Sequence, residues 1–335
     1  ITCKFTNGKV FVYKMKNDTD WQAGKEYTYT VSLAAAKDPG YTVSEDGKTY
    51  TVTSADGLLA WNEAVQKDMT LNCTLADNID LTGKDWTPIG TSFGNSYTGT
   101  FDGNGKTITG LTVTGSDRYT GLFGFIKGTV KNVVLTEINI TSGTFVGGVA
   151  GWSFGGNIEN CSVSGSVSGS DVGGVVGYQQ GGSITGCSSS ATVKGTQRAG
   201  GVAGTTNSGA TLTACYATGD VTVENDGTSN AWAGGVVGSN AYSTVIACYA
   251  AGNVSGTGSG TIHVGGVTGE NFDGTLTACY WSGLPDNDNG GATKVDGTTV
   301  TWQTAVAAMN AALSGKGWQY ELKDGNSLPT LKKEQ

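Results

Sequence analysis

The sequence is poor in charge, proline and histidine. Only 14% of its 335 residues are charged, it has four prolines, and His263 is the one histidine. Its glycines alternate with β-branched and aromatic residues and have no Gly-x-y period, which excludes both disorder and collagen. No apolar run approaches ~18 residues, so we expect no direct insertion into a membrane. The net charge of -8 argues against nucleic acid as a partner.

The common catalytic and metal-binding motifs are also missing. The chain has no G-x-S-x-G, no H-E-x-x-H and no P-loop. Asp286–Gly290 imitates the start of a Ca²⁺ loop, but the twelfth position is Gly297, where a bidentate Glu is needed. We therefore expect no catalytic residues, no cofactor and no metal.

Glycine, in contrast, is abundant, with 55 residues that mark a repeat. A motif of the form V/A-G-G-V-x-G occurs five times, and its second glycine recurs at intervals of 26, 27, 34 and 31 residues: Gly148, Gly174, Gly201, Gly235 and Gly266. A cysteine follows each one after 13 or 14 residues: Cys161, Cys187, Cys215, Cys248 and Cys279. A fixed period in this range is typical of a solenoid.

Each repeat contains three short strand patterns. One is the Gly-Gly-Val segment itself, one ends at the cysteine, and one is centred on a Gly-x-Val pair such as Gly165–Val167. We therefore predict an all-β fold, a three-sided parallel β-helix with short amphipathic helices at both ends. Equivalent Cβ vectors in neighbouring parallel strands point the same way, so we expect the repeat cysteines to be buried free thiols. Any pairing of Cys3 and Cys73 stays open.

The remaining chain is divided around the repeat. A helix over about Ala55–Lys67 carries Leu58, Trp61 and Val65 as one apolar stripe, which would cover the first rung. Two alternating strands, Lys9–Tyr13 and Tyr27–Leu33, precede it. We predict a β-strand segment at 1–37, a linker and lead-in strand at 38–53, a capping helix at 54–68, the solenoid at 69–283, and a C-terminal cap at 284–335 with a helix at about 302–313.

The order of several segments resembles the GLUG-repeat family of bacterial surface proteins, over roughly residues 50–285: Asp56–Trp61, Asn78–Leu81, Trp86–Gly90, Tyr97–Gly103 and Gly121-Leu-Phe-Gly124. The resemblance implies an exported β-solenoid at a cell surface, and it carries no catalytic residues. Gly8–Tyr13 and Ala23–Val31 resemble the closing strands of fimbrillin-like domains from the Bacteroides group. The resemblance implies a location on the cell surface, in the outer membrane or outside the cell. Because Ile1 is not an initiator Met, we expect a trimmed chain whose targeting segment has been removed.

Repeat length varies at one place only. The distance from each cysteine to the next Gly-Gly is 13, 14, 20 and 18 residues, so the insertions Glu224–Asn230 and Ser255–His263 fall at one corner. Insertions on one face often mark a binding face, although tolerated surface drift gives the same pattern.

Aromatic residues supply the candidate binding positions. Tyr216, Tyr249 and Tyr280 each follow a repeat cysteine, so we expect an exposed ladder if the cysteines point inward. Trp281, Trp232 and His263 complete the candidate set. Such rings bind sugars or proteins, but they also stabilise a sheet by stacking on one face.

Three functional hypotheses follow. The first is a noncatalytic cell-surface adhesin or fimbria-associated module that binds a surface glycan or a protein, with fimbrial subunits among the candidate partners. The second is a polysaccharide-degrading β-helix enzyme. The third is a structural spacer that projects another domain.

Overall fold

A computed structural model describes the backbone at 2–4 and 10–12, then residues 38–115, 117–141, 143–225, 227, 229–323 and 327–334. Thr2–Lys4 pairs antiparallel with Val10–Val12, inside the predicted strand Lys9–Tyr13. The predicted strand Tyr27–Leu33 and the side chain of Cys3 lie outside the described residues.

Three faces of β-structure form a solenoid of about seven turns. The first face follows the Gly-Gly-Val motif, whose second glycine and valine form a bend and not the predicted strand. Its strands are Phe123–Ile126, Ala150–Phe154, Val176–Gln180, Ala203–Asn207, Val237–Ala241 and Thr268–Phe272. The second face leads to the cysteine: Tyr41–Val43, Thr49–Val52, Asn72–Leu75, Thr100–Asp102, Thr129–Lys131, Asn157–Glu159, Ser183–Thr185, Thr211–Thr213, Thr244–Ile246 and Thr275–Thr277.

The third face runs from the cysteine to the next Gly-Gly pair. Its strands are Ile79–Asp80, Thr107–Thr109, Thr112–Thr114, Tyr119–Thr120, Val134–Thr141, Phe145–Gly147, Ser162–Gly173, Ser188–Ser189, Thr192–Gly200, Tyr216–Ala217, Val221–Asn225, Ala231–Gly234, Tyr249–Ala250, Val254–Gly258, Ile262–Gly265, Tyr280–Trp281 and Thr293–Lys294. Equivalent residues of successive coils pair in parallel register, as Ile158 does with Ile184 and Ile184 with Leu212. The predicted three-sided parallel β-helix is confirmed.

The repeat cysteines point into this solenoid. All five are at most 3% exposed, and Cys73 is buried as well. None of these six thiols is in a disulfide. Cys187 Sγ lies 3.5 Å from the carbonyl oxygen of Ile158 in the preceding coil. Burial raises the pKa of Cys279 to about 12, so this thiol stays protonated and unreactive. The expectation of buried free thiols is confirmed for these residues.

The last glycine of each motif brings two strands into backbone contact. A Cβ atom built on Gly177 would lie 2.4 Å from the nitrogen of Val146, on the third face of the preceding coil. At Gly238 it would lie 2.6 Å from the oxygen of Gly204 and 2.9 Å from the nitrogen of Ala199. These distances leave no room for a side chain, so the first face can lie against the adjoining end of the third face only through glycine.

A second backbone feature was not predicted. The residue just before each repeat cysteine has φ between 49° and 66°, in the left-handed region: Asn160, Gly186, Ala214, Ala247 and Ala278. Outside glycine this conformation costs roughly 1–2 kcal/mol, with Asn tolerated best. Alanine there gives no sequence signal for a turn, so the corner was invisible in the sequence.

Helix α1 spans Ala55–Val65, two residues shorter than predicted, and begins where Ser54 Oγ accepts a hydrogen bond from the N–H of Gly57. Leu58, Trp61 and Val65 are fully buried, as the stripe predicts. The Trp61 ring lies 5.2 Å from that of Phe101, between ring centroids. The helix therefore contributes its apolar face to the interior of the first coils.

Helix α2 spans Trp302–Ala312, and Thr301 caps it through a reciprocal pair of hydrogen bonds with Thr304. It continues into the antiparallel pair Trp318–Glu321 and Thr330–Lys333. We call residues 302–322 and 327–333 the C-terminal cover. They do not close the end of the solenoid but pack on its side, against Ala214, Ala247 and Tyr249 from successive coils. No helix in the described ranges is long and apolar enough to cross a membrane.

A loop, instead, closes the last rung. One carboxylate oxygen of Asp288 accepts hydrogen bonds from the N–H groups of Val267 and Thr268, both at 2.7 Å. The other accepts from Gly290 at 2.8 Å. Asp288 thus takes the place of the backbone acceptors that another coil would provide. The run that imitates a Ca²⁺ loop in the sequence has this structural role.

Candidate ligand-binding surface

The tyrosine ladder exists, but it is not exposed along its length. Tyr216, Tyr249 and Tyr280 pair in register, and the first two rings stack 5.0 Å apart. Tyr249 is only 1% exposed because Trp302 and Tyr320 of the C-terminal cover pack against its ring. Its hydroxyl donates to the carbonyl oxygen of Pro329 at 2.6 Å. The expectation of an exposed ladder is therefore wrong at Tyr249, while Tyr216 and Tyr280 are half-buried.

Trp281 is a core residue instead of a surface residue. It is 5% exposed, and a Cβ atom on Gly266 would lie 2.3 Å from its ring. Its indole N–H donates to the carbonyl oxygen of Pro285 at 2.9 Å. The expectation that Trp281 is available to a ligand is wrong, because its ring fills the interior of the last coil next to a glycine.

Trp232 and His263 lie together next to the variable corner. They pair in register on the third face, and their rings stack 6.0 Å apart. The guanidinium of Arg198, one coil earlier, lies 5.1 Å from the Trp232 ring. Asn225, which is 4% exposed, anchors the corner because its side-chain amide donates to the carbonyl oxygens of Ser229 and Thr261.

These residues belong to a longer column that has one outward side chain per coil. In order, its members are Tyr119, Phe145, Asp171, Arg198, Trp232 and His263. The side chain of Asp171 is 5% exposed and pairs with Arg198 Nη1 at 3.1 and 3.2 Å. Burial raises the pKa of the Asp171 carboxyl, and the neighbouring guanidinium partly opposes that shift.

A second column on the first face lies beside it and begins with Phe125, Trp152 and Tyr178. The glycine contact between the two faces brings the columns together, so the ring centroids of Phe145 and Trp152 are 4.8 Å apart. Those of Trp152 and Tyr178 are 4.5 Å apart. We call the resulting set of seven rings the aromatic cluster: Phe93, Tyr119, Phe125, Phe145, Trp152, Phe154 and Tyr178.

The outer edge of the aromatic cluster faces solvent. Phe93 is 58% and Phe154 36% exposed, and their rings meet edge to face at 5.1 Å. Lys127 Nζ lies 3.5 Å from the centroid of the Phe93 ring and donates to the backbone oxygen of Phe93 at 2.9 Å. The guanidinium of Arg118 lies 5.4 Å from the Tyr119 ring. Two cations, Lys127 and Arg118, therefore make cation–π contacts at the exposed edge of the aromatic cluster.

Sequence reasoning missed this cluster as a unit. The sequence does contain a pattern that could have predicted it. Two positions of the glycine motif are aromatic in these coils: the position two residues before the first glycine and the position directly after the last glycine. Tyr119 and Phe125 occupy these positions in one coil, and Phe145 and Trp152 in the next. Within the described ranges, no three His, Cys, Asp or Glu side chains come together as a metal site.

The coils that carry much of this cluster match a known sequence family. Residues 142–168 and 168–194 each match the sequence model of the GLUG motif. These two coils are GLUG motifs. The match covers the segment from just before Phe145 to Lys194, which includes the first two Gly-Gly-Val copies and the cysteines that follow them.

Two curated relatives match parts of the chain. Halomucin of Haloquadratum walsbyi is 36% identical over 108 residues, which are 28% of this chain and 1% of halomucin. A "Putative Gly-rich membrane protein" of Evansella cellulosilytica is 40% identical over 101 residues, 27% of this chain and 12% of that protein. The chain thus matches only a small part of either relative.

Two solved structures share the fold. A "putative immunoglobulin A1 protease" from Bacteroides ovatus superposes with a TM-score of 0.67 at 20% identity, over 86% of this chain and 93% of that chain. A structure named "IgA1 Protease" superposes with a TM-score of 0.56 at 21% identity, over 75% of this chain and 20% of that one. At these identities the likeness shows the β-solenoid fold alone.

Proposed function

We propose that this chain is a noncatalytic, adhesin-type binding module of an exported surface protein. The observation that carries the proposal is the aromatic cluster with its exposed edge, Phe93 and Phe154, and its two cations, Lys127 and Arg118. Aromatic residues and arginine dominate the energetic centres of protein interfaces. The ligand class that this composition favours is a partner protein.

The geometry of the cluster suits recognition. Trp152 stacks on Phe125 at 5.7 Å and packs on Tyr178 at 4.5 Å, so its ring is fixed before any ligand arrives. Fixed aromatic side chains lose little conformational freedom on binding, which leaves more of the contact free energy as affinity. Exposed rings such as Phe93 also gain about 25 cal/mol per Å² of apolar surface that a partner covers.

The proposed location rests on the GLUG motifs and on the names of the relatives. Halomucin and the "Putative Gly-rich membrane protein" share about a quarter of this chain, at 36% and 40% identity. We propose a cell-surface location in a Bacteroides-type bacterium, a fimbrillin-like N-terminal segment, and fimbrial subunits among the partners. The fimbrillin-like segment of this proposal is residues 1–37.

A second candidate function follows from the solved structures. Both are named as IgA1 proteases, and in one the shared solenoid covers only 20% of the chain. A solenoid that occupies a fifth of a larger protein fits a noncatalytic module that positions or projects a separate domain. This second candidate is the spacer hypothesis, in which the solenoid projects another domain and needs no binding surface of its own.

The test compares two pairs of exposed aromatic residues with the same geometry. Phe93 and Phe154 meet edge to face at 5.1 Å and 82°, and Tyr242 and Phe272 meet at 5.2 Å and 83° on later coils. The wild type is screened against immobilised host matrix proteins and a glycan array. The double variant Phe93→Ala/Phe154→Ala should lose at least about tenfold in affinity for the captured protein, since interface aromatics carry much of the binding free energy.

The matched control, Tyr242→Ala/Phe272→Ala, should bind as the wild type does. Equal losses in the two double variants would contradict a specific site at the aromatic cluster. Glycan binding that is lost in Phe93→Ala/Phe154→Ala would replace the protein ligand of the aromatic cluster by a sugar. Cleavage of IgA1 or of a polysaccharide by the purified chain would overturn the noncatalytic assignment, and an absence of any binding would leave the spacer function.

A further inference from the structure

We propose that a groove on the third face binds a neutral carbohydrate. Two adjoining pockets, of about 230 Å³ and about 160 Å³, share Ser162, Ser188 and Tyr216. We call these two pockets together the hydroxyl groove. None of the residues of the aromatic cluster lines it. The inference therefore goes beyond the proposed function and does not depend on it.

The hydroxyl groove begins where the C-terminal cover ends. Trp318 and Leu331 of the cover form one wall of the smaller pocket. The Trp318 ring packs so closely on Gly186 that a Cβ atom there would lie 2.3 Å from it. On the opposite wall, the equivalent corner residues of the two preceding coils are Asn160 and Asn132. The groove thus lies at the edge of the C-terminal cover, where the row of corner residues continues from Gly186 to Asn160 and Asn132.

The lining is polar but carries no charge. The larger pocket is bordered mainly by serine and threonine, with Tyr216, and the smaller adds two asparagines and the Trp318 ring. Among the residues that the structure describes, no Asp, Glu, Lys, Arg or His borders either pocket. A charged ligand would find no counter-charge there, and desolvating it would be unfavourable. A neutral ligand rich in hydroxyl groups matches such a lining.

Several of these polar groups lack partners within the protein. The hydroxyl groups of Ser162, Ser188 and Tyr216 make no hydrogen bond to any residue in the described part of the chain, although all three residues are half-buried. A half-buried hydroxyl can exchange its bound water for a ligand hydroxyl and stay hydrogen-bonded, whereas an apolar ligand would displace the water and leave it unpaired. The lining therefore favours sugar hydroxyls over apolar ligands.

The amide wall is held in a fixed orientation. Asn160 Nδ2 donates to Asn132 Oδ1 at 2.8 Å, and Asn132 Nδ2 donates to Asp102 Oδ1 at 2.9 Å. Because each amide nitrogen donates to the coil before it, the carbonyl oxygen of Asn160 lies at the end of the chain of amides. The half-buried ring of Tyr216 supplies an apolar surface for the C–H face of a pyranose, and the largely buried Trp318 forms part of the wall beside it. Pockets of this size suit one or two sugar rings.

The experiment is saturation-transfer NMR and calorimetry on the full chain with neutral probes. Glucose, galactose, mannose, N-acetylglucosamine and their disaccharides are tested against glucuronic acid and glucosamine as charged analogues. At least one neutral sugar should bind and shift the indole resonance of Trp318. Ser162→Val, which removes a groove hydroxyl and puts two methyl groups on Cβ, should weaken that binding about fivefold to tenfold.

The control is Ser166→Val, on the same strand and exposed, but outside both pockets. Asn160→Gly is a second test, since φ is 50° at Asn160 and the next coil has glycine at this position. The Asn160→Gly variant should keep the fold and should also bind the sugar more weakly than the wild type does. Equal affinity in wild type, Ser162→Val and Asn160→Gly, or binding only of charged sugars, would overturn the proposal. Phe93→Ala/Phe154→Ala should leave sugar binding unchanged, which separates this site from the aromatic cluster.

Discussion

The earlier and later coils share one interior but differ on the outside. Cys161 and Cys248 occupy the same buried position, and the closing glycines Gly177 and Gly238 make the same backbone contacts with neighbouring strands. At the outer corner, Asn160 is exposed, whereas Ala247 is buried under the C-terminal cover. The repeat thus dictates only the residues that face inward, and each coil is free to use its outer positions differently.

The comparison also shows that an outward aromatic residue is not by itself a binding residue. Tyr249 faces away from the interior of its coil, yet the C-terminal cover buries it completely. Phe93 and Phe154 have no such cover and stay exposed. The two regions differ because the C-terminal cover, which follows later in the chain, packs over Tyr249 but not over Phe93 and Phe154.

The largest effect is expected from Trp302→Ala, which removes a ring that is 8% exposed and packs on Tyr249 at 5.0 Å. Replacing a buried Trp by Ala costs about 3–5 kcal/mol, so the C-terminal cover should detach. Hydrogen exchange measured by mass spectrometry should rise in 302–321 and around Tyr249, making the later coils resemble the earlier ones. The exposed neighbour Gln303→Ala is the control. Unchanged exchange in 302–321 would show that the cover does not depend on this contact.

A smaller effect is expected from Gly177→Ala and Gly238→Ala, which test whether the interior is the same in both regions. Each added Cβ would meet backbone atoms under 3 Å away, so each substitution should cost about 1–3 kcal/mol by urea unfolding. Gly94→Ala is the control because its Cβ would have nothing within 4 Å. A large loss at one glycine and none at the other would contradict a shared interior.

The smallest effect concerns Asp296, which precedes α2. Hydrogen bonds from the N–H groups of Val300, Thr298 and Thr299 lower the pKa of Asp296 from 3.8 to about 2. A carboxyl with a lowered pKa stabilises the fold above its unfolded pKa, and that contribution is lost as pH falls from near 4 to near 2. Asp296→Asn should slightly lower the melting temperature at pH 7, and the difference from wild type should vanish near pH 2.

Calorimetric scans between pH 2 and pH 7 measure this effect, with Glu63→Gln on the exposed side of α1 as control. A difference from wild type that persists unchanged down to pH 2 would show that the charge of Asp296 is not responsible. Because Asp296 directly precedes the C-terminal cover, protonation of its carboxylate should destabilise the packing of that cover on the later coils. The regions around Phe93 and Phe154 should be unaffected, because the cover does not pack on them.

Spacing alone predicted the interior of the solenoid. The constant distance from Gly-Gly to cysteine predicted the coil, the buried thiols and the position of the variable corner. The stripe of Leu58, Trp61 and Val65 predicted α1 almost to its ends. These features follow from local periodicity, and in a solenoid each coil contacts only its neighbours.

The candidate sites were predicted less well, since they depend on contacts between distant segments. Trp232 and His263 do lie together at the variable corner, but sequence reasoning missed the aromatic cluster. Alanine at 214 and 247 hid a left-handed corner that Asn160 and Gly186 share. Whether these residues bind a ligand stays a prediction.

The sequence by itself determined which side chains face inward, because the period of two in a strand and the repeat length leave one arrangement that buries Val, Ile and Cys. Only the tertiary structure decided which outward side chains remain available. The C-terminal cover takes Tyr249 away from solvent, and the glycine contact gathers Phe145 and Trp152 into one surface. The physical reason is that both outcomes depend on how segments pack across coils, which no local pattern encodes.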